Sequence, residues 1–274
     1  MEIKAAEVAK LRQMTGAGMM DCKNALVEAN GDFDRAKEII REKGKLVAAK
    51  RADRDTTQGS VIALANDQSN QAILICLGCE TDFVAKNNEF VQLAKAIANT
   101  ALDHLPADLI ALKALTVNGA TIEEALTAQT GKSGEKHALP FYAQLEAPYI
   151  ATYIHMNNKV ATIVGFTKTI SPEAGKEIAM QITAMNPVSI SKKDCPQSVI
   201  DKEMEIYREQ IRLEGKPEQM VEQIAKGKLN KFFKESTLEE QTFVKDGKIT
   251  VAEYLKTIDP QVKVTGFYRY SLND

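Results

Sequence analysis

Two cysteines three positions apart, Cys76 and Cys79, are the first residues in this sequence whose spacing suggests chemistry. A C-x-x-C pair carries out thiol–disulfide exchange or supplies half of a zinc site. The pair lies in the apolar run "AILICLGC", which predicts a buried strand, and strand side chains three positions apart point to opposite faces. Neither the other cysteines nor the histidines form a second ligand pair. We therefore expect buried thiols, with a thiol enzyme built on this pair as the alternative.

The segment "TGKSGE", residues 130–135, contains the Gly-Lys-Ser sequence that ends a nucleotide-binding P-loop. That motif needs a glycine five positions before Gly131, where this sequence has Leu126. The preceding "TIEEALTAQ" also has the pattern of a helix, whereas a P-loop follows a strand. The sequence therefore predicts no tightly bound nucleotide.

Catalytic side chains are not grouped in this sequence. His104, His137 and His155 are far apart, and no serine or cysteine stands in a recognisable nucleophile context. Paired carboxylates occur on predicted helix faces, where such groups are almost always solvated. We predict that the protein is not an enzyme, holds no metal or cofactor, and acts by binding a partner.

The segment "CETDFVAKN", residues 79–87, places a large apolar ring where a helix begins. It follows the predicted strand and precedes "EFVQLAKAIANTAL", which has the spacing of an amphipathic helix. Thr81 or Asp82 is a suitable helix cap, and Phe83 directly behind it would stand in water. Either the ring folds back onto its own helix or sheet, or it contacts another protein.

A second candidate for partner binding is the glycine-rich turn in "TGAGMMDC", which places Met19 and Met20 between two short helices. Methionine side chains at such a turn are adaptable contact residues. The alternative is that at least one of them belongs to the core.

Charge and composition restrict the class of protein. The 35 basic and 37 acidic residues leave a net charge of −2 over 274 residues, which argues against direct nucleic-acid binding. The basic segment "KGKLVAAKRADR", residues 43–54, is predicted to be a solvated linker. No apolar run approaches the ~18 residues of a membrane span, and the N-terminus lacks the pattern of a signal peptide. With four cysteines suited to a reducing compartment, these features predict a cytoplasmic protein without membrane contact.

Helical spacing predicts a unit of three short helices followed by a linker in residues 1–54. The first helix carries Ile3, Val8, Leu11 and Met14, the second runs from Asp21 to Ala29, and the third starts after Asp32 and ends before Gly44.

The middle of the chain contains a weak internal repeat of two strands and a helix. "SVIALANDQSNQAILICLG" and "YIATYIHMNNKVATIVGF" each have the pattern strand, polar turn, strand, and each is followed by a helix. "ALPFYAQLEA" and "VKVTGFYRYSL" are suited to add a third strand to the first and second half, respectively. We therefore predict an α+β fold with a core of two subdomains, each with a small antiparallel sheet. The first subdomain is placed at 55–147, and the second at 148–190 and 235–274.

A helical hairpin is predicted at residues 191–234, inserted before the last strand. Its apolar seam consists of Ile200, Met204, Tyr207 and Ile211 on one arm and Val221, Ala225, Leu229 and Phe232 on the other. Gly215 and Pro217 interrupt the helix, and so short a connection makes the two arms antiparallel.

Three stretches resemble the bacterial elongation factor Ts family, the guanine-nucleotide exchange factors of the translation GTPase EF-Tu. They are "LRQMTGAGMMDCKNALVEANGDFDRA" at 11–36, "CETDFVAKNNEF" at 79–90 and "YIHMNNKVATIVGF" at 153–166. The resemblance covers the whole chain in order. It implies a ubiquitin-associated-like N-terminal domain, a two-part α+β core and a coiled-coil hairpin.

The resemblance also implies a function and a set of contact residues. Thr81, Asp82, Phe83 and Val84 match the family's working loop, whose phenylalanine wedges into the GTPase and disturbs its Mg²⁺ and nucleotide site, so that GDP leaves and GTP enters. Further residues match surfaces that touch the partner: Leu11, Arg12, Met19, Met20 and His155. Where the family often has Gly-Gly after that histidine, this chain has Asn157-Asn158, which also tolerates positive φ. The alternative function is an adaptor that binds some other protein through the three-helix domain.

Overall fold

The N-terminal helices pack into a small three-helix unit around one apolar core. The computed structural model describes residues 3–274. The helices of this unit are α1 (Ala5–Thr15), α2 (Met19–Glu28) and α3 (Phe33–Lys50). Gly16 ends α1 with φ 68°, and the Asp32 carboxylate caps α3 by accepting from the backbone N–H groups of Asp34 and Arg35. The second helix begins at Met19 rather than at the predicted Asp21, because Gly18 takes the capping position.

The third helix does not stop at Gly44, so the prediction that residues 43–54 form a solvated linker is wrong for residues 43–50. The reason is a tertiary contact that the sequence does not display. Gly44 lies against Gly131 of a later helix, and a Cβ atom added to Gly131 would stand 2.5 Å from the Cα atom of Gly44. This packing keeps α3 helical through Gly44, although glycine by itself disfavours a helix.

The first half of the core follows the three-helix unit. Its elements are β1 (Gln58–Ala65), β2 (Gln71–Cys79), α4 (Asp82–Ala85), α5 (Asn88–His104), α6 (Leu109–Ala114), β3 (Thr116–Val117), β4 (Ala120–Thr121), α7 (Ile122–Ser133) and β5 (Ala138–Glu146). The strands β1, β2 and β5 form an antiparallel sheet in that order, and α7 is the helix that carries Gly131. The predicted third strand of this half is therefore confirmed.

The second half repeats the plan with a helical insertion. Its elements are β6 (Tyr149–Ile154), β7 (Val160–Phe166), α8 (Pro172–Met185), α9 (Gln197–Leu213), α10 (Glu218–Ser236), β8 (Thr242–Phe243), β9 (Asp246–Thr250), α11 (Val251–Ile258) and β10 (Val264–Ser271), with single 3₁₀ turns at Met156–Asn158 and Lys192–Asp194. The antiparallel sheet order is β10-β7-β6, so the predicted last strand is also confirmed.

The two sheets pack face to face and helices cover their outer faces. Apolar side chains of β1 and β2 meet those of β6 and β7 between the sheets, and the rings of Phe141 and Tyr270 stack there at 4.6 Å. The other face of the first sheet packs on α5, α6 and α7, and that of the second packs on α8 and α11. Cys76 points into the layer between the sheets and Cys79 into the helix layer, as expected for positions three apart. The predicted α+β fold is confirmed.

The helices α9 and α10 form the predicted antiparallel hairpin. Met204 and Ile211 of α9 are buried against Val221 and Ala225 of α10. Guanidinium–carboxylate pairs flank this seam, with two hydrogen bonds each between Arg208 and Glu222 and between Arg212 and Glu218. Among residues 3–274, no helix combines the length and apolarity that crossing a bilayer requires.

The prediction that Phe232 ends the hairpin seam is wrong. The buried ring is that of the next residue, Phe233, while Phe232 is half-buried. One residue rotates a helix by about 100°, so the side chains of Phe232 and Phe233 point in different directions and only that of Phe233 is covered.

The close approach of Gly44 and Gly131 yields a stability prediction. Gly131→Ala should lower the free energy of unfolding by about 1–2 kcal/mol, because the added methyl group forces α3 and α7 apart. Gly227→Ala on α10 is the matched control, since a Cβ there meets nothing within 4 Å and alanine favours the helix. Denaturant unfolding followed by circular dichroism measures both, and a Gly131→Ala protein as stable as the Gly227→Ala protein would contradict the prediction.

Candidate functional site

The predicted working loop, Thr81–Val84, is a single helical turn between the end of β2 and the start of α5. Thr81 caps the turn, since its hydroxyl oxygen accepts from the backbone N–H of Val84 at 3.4 Å. The Cys79 thiol donates to the Thr81 carbonyl oxygen at 3.2 Å. The sequence left the cap open between Thr81 and Asp82, and the structure selects Thr81.

The ring of Phe83 projects from this turn into solvent. The residue is 83% exposed, whereas Val84 beside it is half-buried and packs against the core of the first half. The ring therefore does not fold back onto its own helix or sheet, which was one of the two alternatives. A large aromatic ring held on a fixed turn is a candidate contact residue for a partner protein.

A carboxylate from a distant part of the chain holds the first residue of the turn. The two oxygens of Glu135 accept from the backbone N–H of Thr81 at 3.0 Å and from its hydroxyl group at 2.7 Å. Glu135 directly follows Gly134, the residue with φ 74° that ends α7. The turn is thus attached to the end of α7 as well as to its own strand.

A second carboxylate, that of Glu80, makes the reciprocal contact. It accepts from the backbone N–H of Lys136 at 2.7 Å and from the Arg51 guanidinium at 2.8 and 3.0 Å. The Lys136 ammonium donates in turn to the carbonyl oxygens of Ala52 and Arg54, at 2.6 and 2.8 Å. The segment after α3 is therefore tied to the base of the same turn.

Asp82 is on the exposed side of the turn. Its carboxylate pairs with the Lys86 ammonium at 2.7 Å, and this hydrogen bond lowers the pKa of Asp82 below its ordinary value. Both side chains are exposed, so the pair contributes little to stability.

The methionines of the glycine-rich turn are both exposed, Met19 by 43% and Met20 by 65%. The alternative that one of them belongs to the core is therefore wrong. Arg12 is also exposed and lines a groove together with Met19, Glu89 and Lys132. Because Glu89 follows the Phe83 turn closely in the chain, this groove places the three-helix unit beside the candidate loop.

Leu11 is the exception among the predicted contact residues. Its side chain is completely buried in the core of the three-helix unit, so the prediction that it lies on a partner-facing surface is wrong for the structure described here. Leu11 and Arg12 are adjacent in a helix, and one faces the core while the other faces solvent.

His155 is exposed at the start of the connection between β6 and β7. Its Nδ1 atom lies 3.1 Å from the Tyr153 hydroxyl group. Asn157 and Asn158 both have positive φ, 71° and 53°, which confirms that asparagine supports this turn. Lys159 at its end donates to Gln58, the residue opposite Cys79 in the sheet register. The connection therefore lies at the same end of the core as the Phe83 turn.

The remaining chemical candidates are structural. Burial raises the pKa of both Cys76 and Cys79 to about 12, which disfavours the thiolate that redox chemistry needs. Gly131 and Lys132 belong to the last turn of α7, so they do not form a phosphate-binding loop. Within residues 3–274, no group of three or more His, Cys, Asp or Glu side chains is placed to hold a metal ion.

The residues that fix the turn were not found from the sequence. Glu135 and Thr81 are 54 positions apart, and no spacing rule connects them. In the sequence, the segment around Glu135 has only the pattern of an incomplete P-loop.

An exposed aromatic ring on an anchored turn, with exposed methionines nearby, is chemically suited to contact with another protein. The profile of the family described as "Elongation factor TS" matches residues 80–274. Elongation factor Ts of Christiangramia forsetii is 49% identical over 273 residues, which is 99% of each chain. Elongation factor Ts of Amoebophilus asiaticus is 49% identical over 98% of each chain, and that of Porphyromonas gingivalis is 47% identical over 100% of this chain and 99% of its own. The chain belongs to the elongation factor Ts family of translation elongation factors.

One buried imidazole lies directly behind the anchored turn. His137 packs against the ring of Phe90 at 5.6 Å, and its Nδ1 atom lies 3.0 Å from the carbonyl oxygen of Glu135. A carbonyl oxygen only accepts, so Nδ1 carries the proton of the neutral ring. The buried Nε2 atom has no hydrogen-bond partner in the described structure. Burial lowers the pKa of His137 below its ordinary 6.5, although the nearby Glu135 and Glu80 charges oppose this effect.

The lowered pKa of His137 predicts a loss of stability in mild acid. Between its folded pKa and 6.5 the unfolded chain binds more protons, so the free energy of unfolding falls as the pH is lowered through this window. The slope for one proton is at most about 1.4 kcal/mol per pH unit. His137→Gln should flatten this slope in denaturant unfolding between about pH 7.5 and about pH 5.5. His104→Gln, at an exposed histidine, is the control, and an unchanged slope in His137→Gln would disprove the assignment.

Proposed function

We propose that this protein binds EF-Tu·GDP and promotes release of GDP, with the Phe83 turn as the element that enters the GTPase. The observation that carries the proposal is the Phe83 ring, which is 83% exposed on a turn held by its own cap and by Glu135. Membership of the elongation factor Ts family supports the identity of the partner.

An aromatic ring fixed in this way is suited to act as an anchor. Interface energy concentrates in a few residues that fill pockets on the partner, and aromatic side chains are frequent among them. The turn is already formed in the free protein, so binding does not have to order it. An apolar wedge of this kind moves groups aside and supplies no ligand to the partner's metal ion.

Other exposed residues extend the proposed contact surface around the turn. Arg12, Met19 and Met20 belong to the three-helix unit beside it, and His155 lies at the same end of the core. A surface assembled from three separate parts of the chain holds the ring in one orientation relative to the partner. Leu11 supports this surface from below, as part of the core of the three-helix unit.

The proposed mechanism is thermodynamic linkage between two ligands of the GTPase. A factor that favours a distorted nucleotide site weakens GDP binding, and GDP weakens binding of the factor by the same amount. Mg²⁺ bridging the phosphates is a large local charge, so a ring that displaces its surroundings speeds nucleotide release. GTP then enters and expels the factor. The protein changes the rate of exchange and leaves the GDP/GTP equilibrium of the free GTPase unchanged.

The first test is truncation of the ring. Phe83→Ala should slow the stimulated release of a fluorescent GDP analogue from EF-Tu at fixed magnesium, because a lost anchor costs about 2 kcal/mol or more, roughly thirtyfold. The fold should persist, since Phe83 is 83% exposed in the free protein and belongs to none of the described core clusters.

Ile110→Ala provides the matched control for that experiment. Ile110 is 80% exposed on α6, outside the proposed surface, and its truncation removes a similar apolar group. Release stimulated equally by the Phe83→Ala and Ile110→Ala proteins would refute the role of the ring. Absence of stimulation by the unmodified protein with a cognate EF-Tu would refute exchange itself and favour the adaptor function.

The second test addresses the three-helix unit. Met20→Ala should weaken association with nucleotide-free EF-Tu by about tenfold, because truncating a well-packed contact costs more than about 1 kcal/mol. Leu46→Ala is the control, since Leu46 of α3 is 63% exposed and Met20 is 65% exposed. Calorimetric titration measures both affinities, and equal values for the two variants would exclude Met20 from the interface.

A further inference from the structure

Two short segments at the base of the Phe83 turn, residues 80–81 and 135–136, exchange hydrogen bonds reciprocally. The Glu135 carboxylate accepts from the backbone N–H of Thr81, and the Glu80 carboxylate accepts from the backbone N–H of Lys136. Each acidic side chain therefore binds the backbone of the residue next to the other one. Such crossed contacts fix the relative position of two segments in more than one direction.

The Glu135 contact differs from the Glu80 contact because it also orients the helix cap. The Thr81 hydroxyl group donates its proton to Glu135, so its oxygen lone pairs face the Val84 N–H that it accepts. The chain Glu135–Thr81–Val84 thus spans the turn from one end to the other, with Phe83 between its last two members. Consecutive hydrogen bonds of this kind strengthen one another through polarisation.

From this geometry we propose that Glu135 is the positioning residue of the Phe83 turn. It fixes the direction of the ring through Thr81 and itself makes no contact with the partner. This inference rests on the proposed function for its effect on nucleotide release. Its effect on the mobility of the ring is independent of that function.

Glu135 is itself firmly placed. It follows Gly134, whose left-handed conformation ends α7, and its backbone N–H donates to the Ser133 hydroxyl oxygen at 3.1 Å. Its carbonyl oxygen accepts from the His137 ring at 3.0 Å. The carboxylate can therefore act as a fixed point against which the turn is held.

Three substitutions separate this positioning role from a general structural one. Glu135→Ala removes both acceptors and should reduce stimulated GDP release by about tenfold, the usual size for a lost charged hydrogen bond. Glu135→Gln should restore part of the activity, because its single amide oxygen still accepts from the Thr81 N–H, whereas its amide nitrogen cannot accept from the Thr81 hydroxyl group. Glu123→Ala is the control, because it removes a carboxylate that is 59% exposed near the other end of α7.

A direct measurement of ring mobility is available because the sequence contains no tryptophan. Phe83→Trp provides a single indole reporter at the tip of the turn. Its time-resolved fluorescence anisotropy should show a larger fast component when combined with Glu135→Ala, and no change when combined with Glu123→Ala. Thermal unfolding of each variant verifies that the compared proteins are folded.

The outcomes decide the proposal separately from the proposed function. Faster motion of the indole together with slower release in Glu135→Ala, partly rescued by Glu135→Gln, supports it. Unchanged anisotropy in Glu135→Ala overturns the positioning role, and faster motion with normal release overturns its importance for exchange. If Phe83→Ala leaves release unchanged, the proposed function of the loop fails, while the anisotropy result still decides whether Glu135 fixes the turn.

Discussion

The Phe83 ring is not held in place by burial, because the residue is 83% exposed. Apolar side chains usually find their position by packing, and this one has little packing to use. Its direction therefore depends on polar contacts below it, which are the cap by Thr81 and the hydrogen bonds of Glu135. Glu80 and Lys136 close the arrangement from the other side. An exposed anchor thus requires a rigid polar base, and the rest of the fold supplies the two segments that build it.

Helix α7 connects this base to the three-helix unit. Its Gly131 packs closely against Gly44, and its Lys132 side chain occupies the space that a Cβ atom on Gly16 would need. The residue after its C-terminal glycine is Glu135, which holds the Phe83 turn. One helix therefore sets the position of two parts of the proposed contact surface, the exposed methionines and the exposed ring. The segment that follows α3 provides a second connection, through the hydrogen bonds of Arg51 with Glu80 and of Lys136 with the carbonyl oxygens of Ala52 and Arg54.

Local pattern in the sequence was sufficient for the parts of the fold that local rules govern. The strand–turn–strand–helix repeat, both third strands and the antiparallel hairpin were all predicted from periodicity and turn residues. Two of the failures, the early end predicted for α3 and the missed role of Glu135, have one physical cause, which is contact between distant segments. Nothing near Gly44 indicates that Gly131 keeps its helix intact, and nothing near Thr81 indicates Glu135. Resemblance located the Phe83 turn correctly as an exposed feature, yet it assigned Leu11 to the surface because a motif does not record which side of a helix is buried.

Two free energies explain the advantage of a turn that is formed before binding: the cost of ordering its backbone and the contribution of an aromatic anchor. Ordering the backbone of one residue costs about 1–2 kcal/mol, so a disordered segment the length of Thr81–Val84 would cost several kcal/mol on binding. An aromatic anchor contributes about 2 kcal/mol or more, which that cost would cancel. Because Glu135 and the Thr81 cap order the turn during folding, the displacement of partner groups that we propose for Phe83 does not have to offset that cost. An exchange factor depends on this difference, since only binding energy that favours the distorted nucleotide site weakens GDP.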